Sequence, residues 1–129
     1  MNDSREEHDV IIIGGGPAGL TAGIYTARAR LDSLLIERGA VGGQIINTEW
    51  VENYPGIESV GGIELTAAMQ KQAEKFGLKI VIAGVTGIEV KGKDKLVKTT
   101  KGDFAGKAVI ISGGSERQKL GIPGEVEYT

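Results

Sequence analysis

Cysteine is absent from all 129 residues. That excludes disulfides, thiolate metal sites and a cysteine nucleophile from this polypeptide. Histidine occurs once, as His8 in the polar opening stretch, where it reads as a surface residue. No His/Asp/Glu group has metal-ligand spacing, and no trio resembles a hydrolytic triad. No apolar run approaches the ~18 residues of a membrane helix, and the start MNDSREEHD lacks the basic-then-apolar order of a secretory signal. A cytoplasmic protein is the simplest reading. A formal net charge of −2 supplies no positive excess for nucleic acid or an anionic membrane. Glycine, by contrast, is abundant: 21 residues, well above the usual ~7%. Such a content points to tight turns and close backbone approaches.

Three of those glycines are consecutive. The stretch DVIIIGGGPAGLTAGIYTARAR opens with an apolar run, Val10 to Ile13, and turns through Gly14-x-Gly16-x-x-Gly19. It then continues with Leu20, Ile24 and Ala27 at helical spacing, which predicts a helix over Ala18–Ala29. In such a strand–turn–helix unit the first glycine permits the turn, the second lets a pyrophosphate approach the backbone, and the third lets helix and strand pack closely. The helix start offers unpaired N–H groups and the positive end of its dipole to a diphosphate. A second strand, Ser33 to Ile36, leads into Glu37, placed where an acid meets the adenosine ribose hydroxyls and repels a 2′-phosphate. The order strand, helix, strand, acid predicts dinucleotide binding.

The connection from Arg38 to Gly56 is long and lacks periodicity, which is unusual unless it serves a site. It carries Gly42-Gly43-Gln44 and the turn Asn53-Tyr54-Pro55-Gly56. Its apolar residues Ile45, Ile46, Trp50 and Val51 should fold down onto the domain, with Trp50 filling space under the loop. An amphipathic helix follows over Gly61–Phe76, with core positions Ile63, Leu65, Met69, Ala73 and Phe76 and a cap at Gly77. Lys79–Ile82 reads as a strand. Val85–Lys91, Lys95–Thr100 and Gly102–Ala105 read as a three-stranded antiparallel meander. Its lysines at 91, 93, 95, 98 and 101 read as a solvated face. Lys107–Ser112 reads as a buried strand stopped by Gly113-Gly114.

Taken together, DVIIIGGGPAGLTAGIYTARA, ERGAVGGQI, VENYPG, AVIISGG and LGIPGE, in this order and spacing, resemble the FAD-binding half of low-molecular-weight thioredoxin reductases. GGQ followed by VENYPG is the most specific part. The resemblance implies that Gly14, Gly15, Gly16, Pro17, Ala18 and Gly19 wrap the FAD pyrophosphate and that Glu37 holds the adenosine ribose. It places Gly42, Gly43, Gln44 and Asn53 along the flavin ring or ribityl chain, Gly84 and Val85 against the adenine, and Gly113 and Gly114 near the pyrophosphate. Two local departures stand out: Ser112-Gly113-Gly114-Ser115 replaces the family's Ala-Thr-Gly-Ala, and Trp50 replaces a smaller polar or acidic residue.

The implied fold is α/β: a Rossmann-like FAD-binding domain over 9–114, with a parallel sheet, helices and a small three-stranded antiparallel meander. A polar tail over 1–8 precedes it and a linker over 115–129 follows. In the family the chain runs on into an NADPH-binding domain carrying a CxxC pair, so this sequence reads as a portion that is incomplete relative to the family. The implied activity is electron transfer from NADPH through FAD to a dithiol of thioredoxin, with this chain alone inactive and homodimeric. A ferredoxin–NADP reductase, an alkyl hydroperoxide reductase flavoprotein, or a non-catalytic FAD-binding or dimerisation module are the alternatives.

Overall fold

A computed structural model describes residues 6–113. The elements run β1 (Glu6–Ile13), α1 (Pro17–Arg28), β2 (Ser33–Glu37), a 3-10 turn (Gly43–Asn47), α2 (Gly62–Lys75), β3 (Lys79–Ile82), β4 (Val85–Lys91), β5 (Asp94–Thr99) and β6 (Gly102–Ile111). They form one six-stranded sheet in the order β3-β2-β1-β6-β5-β4. β3, β2, β1 and β6 are parallel, and β6, β5 and β4 are antiparallel. The chain leaves β1 toward β2 and β3 on one side and returns to β6 on the other. This puts a topological switch point at the C-terminal end of β1, where open α/β sheets bind ligands.

The apolar runs are continuous because these central strands are covered on both faces. Val10, Ile12 and Leu35 pack with Leu20, Ala73 and Leu78 under the helices. Ile11, Ile13, Leu34 and Ile36 pack on the opposite face with Val97 and Phe104 of the meander. Ile11, Ile12, Leu34, Leu35 and Ile36 are almost wholly excluded from solvent, and each such burial contributes about 1.5–3 kcal/mol. The α/β class, the parallel sheet, both helices and the meander covering a second face are therefore as the sequence leads one to expect.

Several details differ. Gly102–Ala105 and Lys107–Ser112 are not two strands but one, because Gly106 stays extended and pairs with His8 on one side and Lys95 on the other. The latter half of β6 is not buried either: Lys107 and Ala108 are exposed and Ile111 is 49% exposed. In α2 the core positions are Leu65, Ala73 and, partly, Met69, joined by the buried Thr66. Ile63 is 68% exposed; two residues before Leu65, it points about 200° away around the helix. Phe76 also leaves the core, with the Arg28 guanidinium 5.6 Å from its ring centroid. Trp50 does not fill space under the loop; it is 59% exposed, and its neighbour Val51 is the buried residue, bridged to Val60.

His8 is the other correction. The polar stretch 1–8 gives its last three residues to β1, paired with Phe104, Ala105 and Gly106, and this covers the imidazole: His8 is 5% exposed. Its Nδ1 lies 2.8 Å from Asp32 Oδ1 and its Nε2 2.5 Å from Glu6 Oε2. The hydrogen bond with His8 holds the Asp32 carboxyl below the usual carboxylate range, the charge of Lys79 adding to it and partial burial opposing it. This cluster sits at the N-terminal end of the parallel strands, opposite the switch point.

Candidate dinucleotide site

An open cleft of about 270 Å³ lies at the switch point. This is near the lower limit of ~300 Å³ for small-molecule pockets, so it accommodates one part of an extended ligand. It brings together Gly14, Gly15 and Gly16 after β1, Glu37 at the end of β2, Gly43 and Gln44 of the long connection, Val85 at the start of β4, and Gly113 after β6. Eight of the residues singled out from the sequence thus share one wall-to-wall site.

The glycine turn has the sequence it has for steric reasons. Gly14 has φ +107° and a Cβ there would lie 2.1 Å from Ser112 O; a Cβ on Gly19 would lie 1.9 Å from Gly14 O. Both collisions are with backbone, so neither position admits a side chain. Gly19, Pro17 and Ala18 form the first turn of α1 and do not line the cleft themselves. That first turn carries no acidic residue and its cap, Gly16, offers no side-chain hydrogen bond. The positive end of the helix dipole is therefore left for an anion.

Glu37 joins the two halves of the site. Its Oε1 accepts from the Gly15 N–H at 2.8 Å and its Oε2 from the Gly39 N–H at 2.7 Å. Each oxygen keeps a further lone pair for another donor. The long connection is tied to the same turn: Gly42 N–H donates to Gly15 C=O at 2.7 Å, and a Cβ on Gly43 would lie 3.0 Å from Gly16 Cα. Gly42 is thus buried behind the cleft wall rather than in it.

Asn53 is not brought into this cleft. It lies in a separate shallow groove formed by 52–58. Gly84 adjoins Val85 without lining the cleft, and Gly114 falls outside the described residues, as does the stretch 115–129. Conversely, Arg38, Gly39, Ala40, Ile46, Asn47, Ala83 and Ser112 line the cleft without having been singled out for it. Ser112 is the most informative of these. Its Oγ is 2.9 Å from Ile13 O and 3.1 Å from Gly14 O, fastening the end of β6 to the turn after β1. The only trace of this in the sequence is a hydroxyl immediately after the last apolar run.

The sequence profile of the family described as pyridine nucleotide-disulphide oxidoreductase matches residues 8–129. The chain belongs to that family. Among its relatives, the thioredoxin reductase of Bacillus subtilis (strain 168) is 50% identical over 121 residues, which are 93% of this chain and 38% of that protein. Two solved structures are similar in fold. The thioredoxin reductase of Lactococcus lactis superposes with a TM-score of 0.82 at 48% identity, over 94% of this chain and 40% of that one. That of Streptococcus pyogenes MGAS5005 gives a TM-score of 0.83 at 43% identity, over 97% and 41%. This member of the pyridine nucleotide-disulphide oxidoreductases therefore spans about 40% of the length of the relatives it matches. Among the described residues no helix is long and apolar enough to cross a membrane.

Proposed function

We propose that this chain is the FAD-binding portion of an NADPH-dependent thioredoxin-disulfide reductase. The observation that carries the reading is the placement of Glu37, whose carboxylate is fixed by the Gly15 amide beside the glycine turn at the switch point. A carboxylate there accepts hydrogen bonds from ribose hydroxyls and repels a phosphate on one of them, which favours FAD over NADP.

The residues present suit that group. Gly14, Gly16 and Gly113 line the cleft without side chains, and a Cβ on Gly113 would meet nothing within 4 Å, so backbone stands open to the pyrophosphate. The uncompensated start of α1 points the same way. Gln44, with a donor and an acceptor on one amide, lines the side toward the long connection. When bound, the flavin supplies the electron-transfer chemistry, and the polypeptide supplies binding and orientation. In this reading the complete enzyme passes electrons from NADPH to a dithiol of thioredoxin. The same reading makes the protein cytoplasmic and the complete enzyme homodimeric. Titration of the 129-residue chain with FAD, FMN and NADP, followed by flavin fluorescence or calorimetry, tests it; FAD should bind more tightly than either. Binding of NADP in preference to FAD would overturn it.

A further inference from the structure

The wall of the cleft beyond Glu37 is the short connection between β3 and β4, whose Ala83 and Val85 line the cleft with Gly84 between them. Ala83 is buried in the core and Val85 packs against it, while Gly84 between them has no side chain, so its peptide is held by hydrogen bonds. On one side, Ala83 N–H donates to Glu37 C=O at 2.9 Å. On the other, Gly84 N–H donates to Thr100 Oγ1 at 3.0 Å while Thr100 N–H donates to Gly84 C=O at 2.9 Å. Thr100 belongs to the turn between β5 and β6, distant in sequence from every residue of the glycine turn. That turn is itself braced: Thr99 Oγ1 donates to Gly102 C=O at 2.6 Å and accepts from Lys101 N–H at 3.0 Å.

We propose that Thr100 is a positioning residue for the adenine-nucleotide end of the cleft, an inference that rests on the dinucleotide reading above. It does not line the cleft. Its reciprocal pair with Gly84 engages the N–H and the carbonyl of the one residue between Ala83 and Val85, and so holds the side of that wall that the Ala83–Glu37 hydrogen bond leaves untied. The role requires an acceptor at Oγ1. Valine has the same shape without the acceptor, and serine keeps the acceptor without the methyl group. Gly84 itself is not required for steric reasons, since a Cβ there would sit 3.5 Å from Thr100 Cγ2, an ordinary contact.

The test uses the full 129-residue chain with ADP, FAD and FMN as probes, in the wild type, T100V and T100S. T100V should weaken ADP and FAD about three- to tenfold, as expected for one exposed hydrogen bond transmitted to binding, and should leave FMN, which has no adenine, unchanged. T100S should restore both. Hydrogen exchange at the Gly84 amide should accelerate in T100V and not in T100S. Wild-type affinity for ADP in T100V, or equal losses for ADP and FMN, would overturn the proposal while leaving the dinucleotide reading intact. Failure of the wild type to bind ADP or FAD would instead overturn the dinucleotide reading, and this inference with it.

Discussion

The amide of Gly15 donates to a carboxylate oxygen of Glu37 at 2.8 Å, across 22 positions of sequence. The glycine turn and the acid at the end of β2 are thus a single preassembled unit. Replacing Glu37 disturbs both: Glu37→Gln puts an amide NH₂ opposite one of two backbone donors, Gly15 or Gly39. With its oxygen kept on the buried Gly15 N–H, the amide leaves only the exposed Gly39 N–H to water, so we expect a stability loss of about 1 kcal/mol or less. FAD and ADP should weaken more than FMN, in titrations of each. Equal loss for the two flavins would separate Glu37 from the ribose.

Gly14 and Gly16 differ sharply although both line the cleft. Gly14→Ala meets a carbonyl at 2.1 Å and a left-handed φ, so urea unfolding should show a loss above about 3 kcal/mol or no folded protein. At Gly16 a Cβ would meet only Gly43 Cα, at 3.6 Å. Gly16→Ala should therefore fold, with a loss below about 1 kcal/mol at this cap position, yet bind ADP at least about tenfold more weakly, because the methyl group keeps a diphosphate off the backbone. Undiminished ADP affinity in Gly16→Ala would remove the second glycine from the site.

Ser112→Ala leaves the carbonyls of Ile13 and Gly14 without their shared hydroxyl. The expected cost is about 1 kcal/mol in urea unfolding, and Ser112→Thr should recover part of it. No change in Ser112→Ala would show that the fastening of β6 to the turn rests on the Ser112 N–H, which donates to Ile13 C=O at 2.8 Å.

Asp32 sets a pH dependence at the other end of the sheet. Its folded pKa is lowered, mainly by His8. Its stabilising contribution is thus fully present above the unfolded value of about 3.9 and is lost as pH falls through the lower folded value. Unfolding midpoints measured from pH 6 to pH 2 should fall, and Asp32→Asn should flatten that fall while lowering stability at pH 6. Because the Asp32 side chain is 43% exposed, the effect is a small one. Parallel curves for the two proteins would contradict it.

The 129-residue chain contains no cysteine, and transfer from a flavin to a dithiol needs an attacking thiolate. The purified chain should therefore show no thioredoxin-dependent NADPH oxidation. Turnover by the chain alone would refute the assignment of roles.

What was legible in the sequence follows from how local the governing forces are. The glycine turn, Glu37, both helices and the strands up to β5 are set by steric rules and periodicities within about thirty residues and are readable, whereas the single strand β6 is made by its pairing with β1 and β5 and reads as two. The burial of His8 was not, because it is imposed by Phe104 and Asp32, and polar neighbours in sequence say nothing of a strand laid alongside. Trp50 and Ile63 were misplaced for a related reason: hydrophobicity identifies candidates for the core, but direction around the backbone decides, and Val51 and Leu65 took those places. Asn53 was tied to the cleft by resemblance alone. Ser112 and Thr100 act through main-chain groups distant in sequence, which no periodicity reports.

The seam between β1 and β6 bears on how the chain folds. β6 is the strand that joins the parallel and antiparallel halves of the sheet, and it is the last element among the described residues. Ser112 lies 99 positions from the Ile13 carbonyl it contacts. A contact of that sequence separation makes loop closure slow relative to local helix formation. During synthesis at roughly 5–20 residues per second, Val10 to Ile13 wait several seconds with one strand edge unpaired, the condition under which a flat apolar edge recruits other chains. Nascent chains stalled before Phe104 emerges should consequently be less soluble, by pelleting, than chains stalled after Ile111 has emerged.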